Sequence, residues 1–194
     1  MANYIDGVTI DELLALKKLL AKINNSITTH LTLNFVNSDI VKGLISDEDK
    51  NGLIDAVTAT NANSNGYDIV FSGNIKDGSG AKGIIAEVKS SIPVKINETD
   101  SSRSEFGSKQ IENIEYDLEA LIDGTKKKKA LFKNRYKKTL KLADYYRFLV
   151  LFDNPDVRGA IDNLLNNYQN KDSVEIWDPN KTPDKGKVYV VFVK

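Results

Sequence analysis

The chain has 194 residues, 27 Lys and Arg against 27 Asp and Glu, 41% hydrophobic content, one His and no Cys. The missing cysteines exclude disulfides, thiolate metal ligands and cysteine nucleophiles, and the lone His30 argues against a His-based zinc site or a His-dependent triad. The length suits one domain over 1–194, and with no apolar stretch near a span's roughly twenty residues and no signal-peptide core, a soluble, cytoplasmic protein without a membrane partner is expected.

In chain order, Leu13, Leu14, Leu16, Leu19, Leu20 and Ile23 recur at helical spacing, with Thr9 as N-cap and Glu12 closing a capping box. Residues 30–36 alternate polar and apolar side chains and predict a strand. Ser38 and Asp47 open two short helices, the second carrying Leu53, Ile54 and Val57. An Asn/Ser/Gly-rich loop at 61–66 leads to a predicted strand over 67–71, which bears Asp68. A second strand is predicted over Gly83–Lys89. Gly78, Gly80 and Gly83 between them have the G-x-G-x-x-G spacing of a dinucleotide-binding loop. They lead into a strand rather than a helix, so they are read as a hairpin turn.

Residues 97–107 are polar and loop-like. A helix follows, starting between Ser102 and Ser108, with Ile111, Ile114, Leu118, Leu121 and Ile122 on one face and Gly124 as its stop. Residues 126–141 hold nine basic side chains and no acidic one, so the rest of the chain carries a net charge of −9. A helix is predicted from there through Leu142. Residues 148–152 form an unbroken apolar run, as in a strand buried on both faces. Asn154-Pro155 opens a helix with Val157, Ala160, Ile161, Leu164, Leu165 and Tyr168 at helical spacing. Strands over 174–177 and Val188–Val193 complete an α/β sandwich with a central mixed sheet.

The chemistry concentrates on the two central segments. Strand side chains alternate, so Glu87 and Lys89 share one face while Val88 points to the other. With the Asp68 strand as neighbour, two carboxylates and an ammonium converge. Two carboxylates are a minimal protein site for Mg²⁺, and the lysine can steady a hydroxide or a pentavalent phosphate. A second acid-x-Lys triplet, Glu48-Asp49-Lys50, sits in a polar run without apolar alternation and is read as a solvated charge cluster at a helix start or loop. The basic run, with Phe132, Tyr136, Tyr145 and Tyr146 in or beyond it, has two readings. Lys126, Lys127, Lys128, Lys129, Lys133 and Arg135 contact DNA phosphates, or they form a solvated lysine-rich surface segment.

Asp68 followed by Glu87-Val88-Lys89 resembles the motif of the PD-(D/E)xK nuclease superfamily, although Asn65, Gly66 and Tyr67 stand where its Pro is found. The element order over 31–152 is similar to that superfamily's core: a helix, a three-stranded meander, a helix and a further strand. The resemblance implies a restriction endonuclease-like three-layer sandwich, with an N-terminal helix and a C-terminal helix/strand extension around that core. It implies a Mg²⁺-dependent DNA endonuclease, of restriction type because the chain is compact and has no motor domain. Asp68, Glu87 and the Val88 carbonyl would hold one or two ions, Mn²⁺ being able to substitute, and Lys89 would position or deprotonate the attacking water. Gln110 is a further candidate from the start of the following helix, although the Tyr that some members carry four residues later is Ile114 here. An additional early acid could be Glu12 or Glu48. Cutting both strands of a duplex implies a homodimer. Two alternatives stay open: an inactive or regulatory DNA-binding protein on the same fold, and an unrelated α/β protein with incidental acids.

Overall fold

The computed structural model describes residues 8–59, 67–95, 99–124 and 141–194. Three helices come first: α1 (Ile10–Val36), α2 (Asp39–Leu44) and α3 (Asp47–Ala59). Strands β1 (Ile69–Ser72) and β2 (Gly83–Lys89) form an antiparallel hairpin. Then come α4 (Ser108–Asp123), β3 (Tyr146–Phe152), α5 (Pro155–Asn167), β4 (Val174–Ile176) and β5 (Val188–Val193). The five strands make one mixed sheet in the order β1-β2-β3-β5-β4, parallel except at the hairpin.

Strand alternation divides the core in two, giving an α/β fold of three layers. Ile84, Ala86, Val88, Phe148 and Val150 pack with Phe35, Val36 and Val41 of the first helices. Ile85, Leu149, Leu151 and Val190 pack on the opposite face with Leu118 and Leu121 of α4 and Ile161 of α5. β2 and β3 are buried almost throughout, as expected of strands covered on both sides, with Glu87 and Arg147 as their buried charged side chains.

The local signals explain most element ends. Thr9 and Glu12 form the capping box of α1: the Thr9 N–H donates to Glu12 Oε2 at 2.7 Å, and the Glu12 N–H donates to Thr9 Oγ1 at 3.3 Å. Asn154 caps α5 by accepting from the Asp156 N–H at 2.8 Å, with Pro155 at the first helical position. Gly124 ends α4 at φ 68°, a left-handed conformation that favours glycine. Gly78 and Gly80, at φ 73° and 69°, belong to the turn joining β1 to β2, so the dinucleotide-loop spacing is a turn.

Two sequence expectations are corrected. Residues 30–36 are the last two turns of α1 and not a strand. Leu31 with Phe35, and Thr32 with Val36, are buried pairs four residues apart, so the polar-apolar alternation coincides with a helical stripe. The Thr32 hydroxyl donates to the Thr28 carbonyl at 2.7 Å, and Asn37 closes the helix by donating to the Leu33 carbonyl at 3.0 Å. The antiparallel meander is therefore a two-stranded hairpin. The second correction is at Leu142–Asp144, a single 3₁₀ turn at the end of the predicted basic helix, the rest of which lies outside the described residues.

Candidate active site

The hairpin register brings the two acids together. Ile69 pairs with Ala86 and Val70 with Ile85, so continuing the register places Asp68 opposite Glu87. Ile85 and Val70 pack toward α4 and α5, and residues two apart on a strand share a face. Asp68, Glu87 and Lys89 therefore face the α4 layer, whereas the Val88 side chain is buried in the other core. The group lies at the carboxyl end of β2, where ligands characteristically bind in open α/β sheets.

Each side chain is held. The Val88 N–H donates to Asp68 Oδ2 at 2.8 Å, which folds the carboxylate over the end of β2. Lys89 Nζ forms an ion pair with Asp117 Oδ2 at 2.6 Å. Glu87 is 3% exposed and Asp117 4% exposed, so both carboxylates are inside the protein rather than on its surface. Tyr67 is buried beside them, and its hydroxyl donates to the Ala120 carbonyl of α4. Burial pushes the Tyr67 phenol well above its ordinary pKa, and the negative charge of Glu87 adds to that shift.

Gln110 is brought to the same end of the sheet with a structural task. Its Oε1 accepts from the Gly107 N–H at 3.0 Å, and its Nε2 donates to the Ile92 carbonyl at 2.7 Å. It thus caps α4 and ties that helix to the chain leaving β2. Lys95 and Glu105 reinforce the tie through paired main-chain bonds of 3.2 and 2.9 Å. Asp117 lies seven residues further along α4, two turns and about 10 Å away on nearly the same stripe.

The early acids do not share this face. Glu48 is exposed in the first turn of α3, across the sheet, and Glu12 is engaged in the N-cap of α1. The Glu48-Asp49-Lys50 triplet is a helix start, with Ser46 Oγ accepting from the Asp49 N–H at 3.0 Å. Lys126, Lys127, Lys128, Lys129, Lys133 and Arg135 lie outside the described residues.

Sequence reasoning missed Asp117 and Tyr67. Asp117 had a legible signal, since it interrupts the apolar stripe of α4 three residues after Ile114 and one before Leu118. A buried acid there requires a compensating partner. Among the described residues no cluster of three or more His, Cys, Asp or Glu is arranged to hold a metal ion. The donor set that is present, two carboxylates in cross-strand register without His or Cys, has the oxygen chemistry of Mg²⁺ rather than that of a softer metal. Compared with family models, curated proteins and solved structures, the chain matches none.

Proposed function

We propose that this protein is a Mg²⁺-dependent DNA endonuclease, of restriction type, on a restriction endonuclease-like fold. One observation carries the reading: Asp68 and Glu87 lie in cross-strand register on the face where Asp117 holds Lys89. Asp68, Glu87 and the main-chain carbonyl of Val88 are the groups that would hold the ion, with water and phosphate oxygens completing its shell. When bound, Mg²⁺ or Mn²⁺ supplies Lewis-acid polarisation of the phosphate and a more acidic water.

The protein's own residues set the geometry. The Val88 N–H fixes one oxygen of Asp68. Asp117 restrains the Lys89 ammonium, which sits beside the carboxylates to orient the attacking water and stabilise charge developing on the phosphate. The surrounding apolar layer limits access of bulk water and strengthens each of these interactions. The basic run at 126–141 supplies positive charge for the DNA backbone, and two copies of the chain would cut two strands.

A second reading has an observation of its own. Only two carboxylates occupy the cross-strand position, and Lys89 is already paired with Asp117, which also suits a DNA-binding protein that has lost cleavage. One experiment separates the two readings. Purified protein is incubated with supercoiled and linear DNA in Mg²⁺ or EDTA, beside an Asp68→Ala variant. Metal-dependent cutting that the variant loses supports the nuclease. DNA binding without cutting in any metal supports the second reading, and neither activity removes both.

A further inference from the structure

Among the described residues, helix α1 is buried only in its C-terminal turns. Leu31, Thr32, Phe35 and Val36 are buried, whereas every residue from Val8 to Ile27 is exposed. About 27 Å of helix thus projects beyond the packed part of the chain. Five of its eight exposed large apolar residues fall in one row, with Ile10, Leu14 and Leu19 outside it. Leu13, Leu16, Leu20, Ile23 and Ile27 follow a 3-4-3-4 spacing, with exposures of 42, 51, 51, 44 and 38%.

That spacing averages 3.5 residues per turn, which is the signature of a coiled-coil seam rather than of a helix lying on a globular core. With Leu13, Leu20 and Ile27 at the first core position of each heptad, Leu16 and Ile23 fall at the second. Glu12 and Lys17 then occupy the flanking positions that face each other between parallel helices, Glu12 of one copy against Lys17 of the other. The charges are opposite, and twofold symmetry makes the pair twice. His30 takes the next second-core position, so the apolar seam stops where α1 reaches the sheet.

We infer that α1 is a dimerisation element, and that its occupant is α1 of a second copy of this chain in parallel orientation. The geometry leaves room for it. At 100° per residue the seam is displaced by roughly a third of a turn from the centre of the buried face formed by Leu31, Thr32, Phe35 and Val36. Two globular bodies can therefore hang outside a paired α1 without covering the seam. No described residue covers it in the single chain, and a continuous apolar strip of this length is uncommon on a monomer. This inference stands independently of the nuclease reading.

The test is light scattering of the purified chain across a dilution series, without DNA. The expected species has twice the 21.6 kDa mass of one chain. Leu16→Glu with Leu20→Glu should weaken association by roughly a hundred-fold or more. Emission of the single Trp177, which packs against the sheet, reports that the globular part stays folded. Orientation is read from Leu13→Cys, because the chain has no other cysteine. Mild oxidation should link this variant into a covalent dimer if the helices are parallel, and an uncrosslinked dimer rejects that orientation. A monomer at all concentrations overturns the inference, whether or not it binds anionic vesicles. A dimer that survives the double substitution overturns it equally.

Discussion

Asp117 stands one residue before Leu118 on the buried stripe of α4, and its 2.6 Å pair with Lys89 offsets much of the cost of placing a carboxylate there. The pair is asymmetric. The Asp117 side chain is 5% exposed and that of Lys89 28%, so the acid is fixed by packing and the lysine is steered by the acid. Asp117→Asn keeps the shape and removes the charge. Thermal unfolding should show a loss of about 1–3 kcal/mol, the range for a charged hydrogen bond weakened inside a protein. If Asp117 positions Lys89 for catalysis, cleavage at saturating DNA should also fall by about 10- to 100-fold with KM unchanged. A variant that is less stable but cuts at the original rate would leave Asp117 a structural role only. Glu87 needs a different control, because its 3% exposure means that alanine there opens space as well as removing the carboxylate.

Between elements, one close backbone approach supporting this region lies outside it. A Cβ built on Gly159 of α5 would meet the Ser101 carbonyl oxygen at 2.0 Å, a backbone atom with no freedom to rotate away. The Ser101–Arg103 turn rests on α5 at that point. It is tied there by Asn163 Nδ2 donating to the Ser102 carbonyl at 2.8 Å and by the Ser104 hydroxyl donating to Asp156 at 2.7 Å. Gly159→Ala should push the turn off the helix and cost about 1–3 kcal/mol, seen as a lowered unfolding midpoint. An unchanged midpoint would mean that the turn is free to shift. The same scale shows what the sequence could and could not reveal. Strand β2, strand β3 and the start of α5 were legible because their signals are local: apolar runs of strand length, and an Asn-Pro cap. Residues 30–36 were misread because their alternation fits both periods. The decision came from outside the segment, since extending an existing α1 is cheaper than nucleating a new strand. Strand parity puts Glu87 and Lys89 on one face, whereas the position of Asp68 opposite Glu87 depends on the β1–β2 register. Tyr67 was not legible, and Asp117 shows in the sequence only as an acid within an apolar stripe, because the partner of each depends on which helix lies over which strand.

For the molecule as a whole, the clearest pH dependence comes from buried phenols. Tyr146 is pushed up to about 12, first by burial and then by its hydrogen bond to Asp77. Tyr168 reaches about 12, chiefly by burial, and Tyr67 is raised further for the same reason with Glu87 beside it. In each case the fold favours the neutral phenol over the phenolate, whose ordinary pKa is 10.0. The stability tied to this preference is fully present below pH 10, where the unfolded chain also keeps its phenols protonated. It is lost as pH rises from there through the folded-state values, because unfolding then releases protons. Tyr146 contacts the sheet on the α1 side and Tyr67 on the α4 side, so ionising either one places charge in a separate core. The unfolding midpoint should therefore decline steeply from pH 10 upward. Of the eight tyrosines, at least these three should show tyrosinate absorbance only in step with loss of native Trp177 emission. Tyr146→Phe should remove one of the late-titrating groups and flatten the decline, while Asp77 loses a donor and the midpoint at neutral pH drops slightly. Eight tyrosines titrating together near pH 10 with the fold intact would show that these phenols are open to water, and with them the packing on both faces of the sheet.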